Sequence, residues 1–239
     1  MIMSQELVLL IFTVVSIAFI HTLTGPDHYL PFIVISKARK WKLKKTIWFT
    51  ALCGLGHVGS SVILGFIGIA LGIAVGQLEL FEGVRGSIVS WVFTSFGLIY
   101  MVWGIRRAYK NKVHRHLHHH DDESVHEHEH THHSEHIHIH ESKEKVSLTP
   151  WILFTIFIFG PCEPLIPVVM YPAAKHNYGE MIFLTIIFSL VTIATMIILV
   201  TAAFYGFKFL PMKKMERYSH ALAGGTIFIC GLGMLFLGL

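Results

Sequence analysis

Long apolar runs almost bare of charge constrain this chain more than any other feature. A bilayer core of roughly 30 Å needs about 20 helical residues, so an apolar run of 18 or more is a transmembrane candidate. Several such runs occur here, and a soluble reading is excluded. Composition agrees: 53% of the 239 residues are hydrophobic and 14% are charged, against about 25% charged in an ordinary soluble domain.

Six spans follow, at about Leu7–Ile35, Thr46–Val75, Ser87–Ile105, Thr149–Ala174, Met181–Phe207 and Ser219–Leu239. The expected fold is all-α, a polytopic membrane protein. Residues 1–110 form one three-helix half, 111–146 a hydrophilic loop, and 147–239 a second half. Thr149-Pro150 suits the cap and first turn of the fourth span. The opening MIMSQELVLL lacks a basic signal region, so the N-terminus is expected to be retained. Cys53, Cys162 and Cys230 all lie in apolar runs, which implies no disulfide framework.

Basic residues orient the spans. The loops after the first, third and fifth spans carry six, seven and four of them, 17 of the 19 Lys and Arg, leaving Arg85 and Lys175. With six spans these loops share one face, which the charge bias assigns to the cytoplasm. Both termini then face outward.

The halves resemble each other. Gly25-Pro-Asp-His-Tyr-Leu-Pro-Phe-Ile-Val34 reads against Gly160-Pro-Cys-Glu-Pro-Leu-Ile-Pro-Val-Val169. Gly97-Leu98 and Gly104 read against Gly231-Leu232 and Gly238, and Glu82 against Glu216. Three spans per half make the repeats inverted. Matching Gly/Pro-broken helices in inverted repeats are a sequence pointer to a transporter's central site.

In the first break, Asp27 sits mid-span, where a carboxylate costs at least about 2.5 kcal/mol. His21 and His28 flank it. On a continuous helix their positions would lie about 10 Å apart, too far for one ion with bonds of about 2.1 Å. Gly25 and Pro26 break the helix, which would let His21, Asp27 and His28 gather around one cation. The fourth span repeats the device with Gly160, Pro161 and Pro164 around Cys162 and Glu163. Glu163 is expected to ligand the ion or to accept a proton, and Cys162 to be a soft ligand or a small core residue. His57, mid-span among small residues, is a further ligand candidate. His220, His176 and Thr192 are weaker ones.

Thirteen histidines crowd the middle loop: His114, His116, His118, His119, His120, His126, His128, His130, His132, His133, His136, His138 and His140. Interleaved with acids and lacking an apolar period, this segment is expected to be disordered alone. Its imidazoles suit nickel, cobalt, copper and zinc, which makes it a metal-collecting loop of several weak sites.

His21-Thr-Leu-Thr-Gly-Pro-Asp-His28 resembles the first-helix signature of the nickel/cobalt transporter superfamily, closest to its NicO/RcnA-type efflux and UreH-like membrane-domain branch. Gly160-Pro-Cys-Glu-Pro is similar to the Pro-Cys-Pro turn of the efflux proteins, and Glu163 departs from it where that pattern has proline. The resemblance implies six helices, nickel or cobalt as the transported ion, and His21, Asp27 and His28 as metal-handling positions. Zinc and manganese remain possible cargo. No resident cofactor and no catalytic activity are expected, and with no P-loop or phosphorylation-type domain in the sequence, coupling is expected from an ion gradient or a partner. The expected setting is a bacterial cytoplasmic membrane, with lipid and divalent metal ions as partners, no nucleic acid, and a homo-oligomer or metallochaperone as further partners. Two other readings stay open: a membrane thiol–disulfide electron carrier, and a non-transporting metal-binding or urease-maturation accessory protein.

Overall fold

A computed structural model describes residues 5–110, 114–119, 125–130, 148–206 and 216–237. Eight α-helices dominate: α1 Gln5–Thr24, α2 Leu30–Ala38, α3 Leu43–Ala70, α4 Val75–Lys110, α5 Leu148–Phe159, α6 Leu165–Ala174, α7 Tyr178–Gly206 and α8 Ser219–Leu237. Single 3-10 turns, Pro26–His28 and Glu216–Tyr218, join α1 to α2 and lead into α8. Among the described residues, five helical segments are long and apolar enough to cross a membrane, and α5 and α6 are shorter apolar helices.

The molecule differs from a soluble fold in its exterior, which is apolar like its core of Phe32, Ile35, Leu165 and Phe188. Leu9, Phe12, Ile99 and Ile198 stand exposed, while Thr50, His57, Glu82 and Thr192 are buried. Apolar chains outside and polar ones inside are what a hydrocarbon solvent selects, since an unpaired polar group facing lipid costs several kcal/mol.

Both breaks have the same local cause. Proline has no N–H and clashes with the preceding turn, and it pushes the residue before it out of the α region. Gly25, before Pro26, takes φ −84° and ψ 93°, and α1 ends there. Gly160 precedes Pro161, and α5 ends one residue earlier, at Phe159. Each second half-helix then restarts with proline near its beginning, Pro31 in α2 and Pro167 in α6, where the missing donor removes no helical bond.

Packing follows a reciprocal plan. α1 lies on α7 as α5 lies on α3, and the centre is made by α3 against α7 and α4 against α8. The α4–α8 crossing is close. A Cβ added to Gly97 would stand 2.4 Å from the backbone nitrogen of Phe228, and one on Gly224 would stand 2.2 Å from that of Met101. Only glycine admits such an approach, as at other tight helix crossings in membranes.

One helix differs from the sequence reading. α4 runs unbroken from Val75, twelve residues before the expected Ser87, and so takes in Glu82 and Arg85. These two lie one turn apart and pair with each other, so their charges do not end the helix. In the histidine-rich loop, His114–His119 and Val125–His130 form two antiparallel strands, with His114 opposite His130, His116 opposite His128 and His118 opposite His126. The expectation of disorder for the rest of the loop, including His120, His132, His133, His136, His138 and His140, lies outside the described residues.

Candidate metal centre

The first break turns the α1–α2 connection back on itself. His28 Nδ1 lies 3.0 Å from the carbonyl oxygen of Gly25 and 3.3 Å from Asp27 Oδ1. Both neighbours are acceptors, so Nδ1 is the position that carries a hydrogen, as it must when the ring is neutral and ligates through Nε2. In that neutral form the Nε2 lone pair is free. Asp27 stands behind His28, where a carboxylate fixes the orientation and tautomer of a metal-ligating histidine.

Three imidazoles meet at this point. The rings of His21 and His28 are 4.7 Å apart and those of His28 and His57 are 5.0 Å apart, both pairs edge to face. His57 comes from the middle of α3 and His21 from the last turn of α1. The Nε2 atoms of all three are buried with no hydrogen-bond partner. A buried polar atom without a partner forfeits about 1–3 kcal/mol, and three in one spot call for a common ligand. Cys162 adds sulfur from the second break. One ligand atom each from His21, His57 and Cys162 lies within 4.8 Å of the others. Tetrahedral bonds of about 2.1–2.3 Å bring ligand atoms to about 3.4–3.8 Å, so small side-chain rotations would close this set on an ion.

A cavity of about 530 Å³ opens onto the cluster. His21, Asp27, His28 and His57 line it together with Pro161, Glu163 and Pro164 of the second break. Glu163 is exposed at this cavity, while its neighbour Cys162 is fully buried. The residues read from the sequence thus fall in two groups. His21, His28, His57 and Cys162 converge, with Asp27 behind His28; Glu163 lines the approach. Gly25, Pro26, Gly160, Pro161 and Pro164 shape the two breaks. His220 lies apart with its Nδ1 2.8 Å from the Tyr100 hydroxyl. His176 ends the α6 turn with φ 57°. Thr192 is buried in α7 with an unpartnered hydroxyl. Cys53, Cys162 and Cys230 are each free and buried.

Sequence reasoning missed a second buried group beside the cluster. Glu82 and Ser61 are fully buried, and Arg85 is 15% exposed. Arg85 Nη1 lies 3.1 Å from Glu82 Oε1, and its Nη2 donates to Ser61 Oγ and to the carbonyl of Gly160, both at 2.8 Å. The Ser61 hydroxyl in turn accepts from the backbone N–H of Cys162 at 3.0 Å. The available signal was Glu82-Gly-Val-Arg85, opposite charges one turn apart at the edge of a span. A third span beginning at Ser87 leaves Arg85 outside the membrane, whereas α4 starts at Val75 and includes it.

Searches of protein-family models, curated proteins and solved structures found no match to this chain.

Proposed function

We propose that this protein is a multi-pass membrane carrier for a divalent transition-metal ion, nickel or cobalt, which it binds between its two helix breaks. The observation that carries this reading is the convergence of His21, His57 and Cys162 within 4.8 Å, beside His28 with its own bare Nε2. Imidazole and thiolate donors suit borderline ions such as nickel, cobalt and zinc, and suit manganese poorly. Cavity access to the cluster supports passage of an ion over its permanent retention. The resemblance of His21–His28 to the nickel/cobalt signature favours those two metals.

In this reading α1–α2 and α5–α6 are the broken first helices of two inverted halves. The reciprocal packing of α1 on α7 and α5 on α3 supports that arrangement. The α5–α6 pair supplies a sixth crossing, both termini face outward, and the histidine loop collects metal in the cytoplasm for efflux. Coupling comes from an ion gradient or a partner.

Reconstitution in liposomes, with flux of nickel, cobalt, zinc and manganese measured in both directions, tests the proposal. Outward-directed nickel or cobalt flux, abolished in His28→Ala and Asp27→Asn, is the expected result. Normal transport in both variants would refute the central site. Absence of flux for all four ions would leave a binding protein in place of a carrier.

A further inference from the structure

Breaking a helix strands backbone groups. Gly160 and Cys162 lie just past the end of α5, where carbonyls and amides lose their helical partners and the helix dipole leaves a partial negative charge. At membrane depth such groups must find partners within the protein. Here they find them on two neighbouring helices. Arg85 of α4 donates to the Gly160 carbonyl at 2.8 Å, a cation placed at the negative end of α5. Ser61 of α3 takes the Cys162 N–H at 3.0 Å. Glu82 completes the group, 3.1 Å from Arg85 and 3.3 Å from the Ser61 hydroxyl.

We infer that Glu82, Arg85 and Ser61 form a clasp that positions Cys162, holding the second break so that its sulfur faces His21 and His57. The inference rests on the metal-site reading for its purpose, though not for its geometry. Three relationships carry it. Ser61 lies one helical turn from His57 on α3, so a single helix face presents both a candidate ligand and the partner of the Cys162 amide. The clasp touches backbone on both sides of Pro161, and so sets the course of the chain through the break. The Glu82 charge is matched by Arg85, and since a buried ion pair is weak evidence of added stability, the role inferred for this one is to hold one arrangement. Arg85, Glu82 and Ser61 do not touch the ion; they act through Cys162.

Two measurements on the full-length protein in detergent test this. In a Cys53→Ser/Cys230→Ser background Cys162 is the sole thiol, and its maleimide labelling is followed without metal. Arg85→Gln and Ser61→Ala are expected to speed labelling roughly 10–100-fold, the equivalent of one lost hydrogen bond to a charged or buried group. Arg85→Lys is expected to restore most of the protection. In the second measurement cobalt(II) alone is added. The wild type is expected to show thiolate-to-cobalt charge-transfer absorption, which Arg85→Gln and Ser61→Ala lose while keeping the ligand-field bands of the histidine complex. General loosening would weaken both sets of bands together. Unchanged labelling and charge transfer in folded Ser61→Ala, the mildest of the variants, overturns the clasp whether or not Arg85→Gln folds. Faster labelling in the variants, with no cobalt bands in the wild type, upholds the clasp and refutes the metal site.

Discussion

His28 points its Nδ1 at the carbonyl of Gly25, 3.0 Å away and three residues back in the chain. That contact is possible because Gly25 has no side chain. A Cβ there would stand 2.4 Å from the same nitrogen, well inside van der Waals contact. The backbone of Gly25, at φ −84° and ψ 93°, is open to any residue. Gly25 is therefore required by the imidazole rather than by the turn.

Gly25→Ala follows directly as a test. The added methyl is expected to push the His28 ring out of line while leaving the break and the helices intact. Metal affinity, read by calorimetry on the purified protein, should fall by at least about tenfold, toward the range seen when a histidine ligand loses its support. Gly59→Ala, where a Cβ meets nothing within 4 Å, should change nothing.

Asp27→Asn tests the carboxylate behind His28. Asparagine keeps the shape and an acceptor but removes the charge that holds the Nδ1 hydrogen in place. Affinity for nickel or cobalt should drop by about 10–100-fold, as for other carboxylate–histidine–metal arrangements. A drop as severe as that of His57→Ala would instead make Asp27 a direct ligand.

The α4–α8 crossing predicts a loss of stability without any change at the metal centre. Gly97→Ala and Gly224→Ala each drive a Cβ against backbone atoms of the opposite helix, which cannot rotate aside. The helices must separate, at a cost of about 1–3 kcal/mol for overpacking. Thermal unfolding in detergent should show a lower midpoint for both variants, with Gly76→Ala unchanged because nothing lies near its Cβ.

Removal of His114–His140 separates collection from passage. If the loop gathers cargo, flux at high metal should match the full-length protein and fall behind it only at low metal. Complete loss of flux at every concentration would put the loop in the path itself.

Much of this molecule is legible in sequence because the responsible physics is local. Apolar runs of helical length place the spans, since lipid offers the backbone no partners. Gly-Pro pairs end α1 and α5 because proline restricts its own φ and its predecessor's conformation. His21, Asp27 and His28 were suspect as polar residues beside one of those breaks. His57 stood out as a lone imidazole in an apolar run, but only the packing of α3 against the α1–α2 break sets it 5.0 Å from His28. The choice between Cys162 and Glu163 also had to wait. In an irregular stretch no period says which of two neighbours faces inward, and the chain turns Cys162 into the cluster and Glu163 toward the cavity. The role of Glu82 and Arg85 was hidden for a related reason. Charges at a span's edge read as loop, and only three-dimensional pairing with each other and with a stranded carbonyl allows them inside the helix bundle. Sequence alone thus determined where the helices run and where two of them break. Tertiary structure decided what those breaks face, because ligand convergence depends on side chains from helices far apart in the chain.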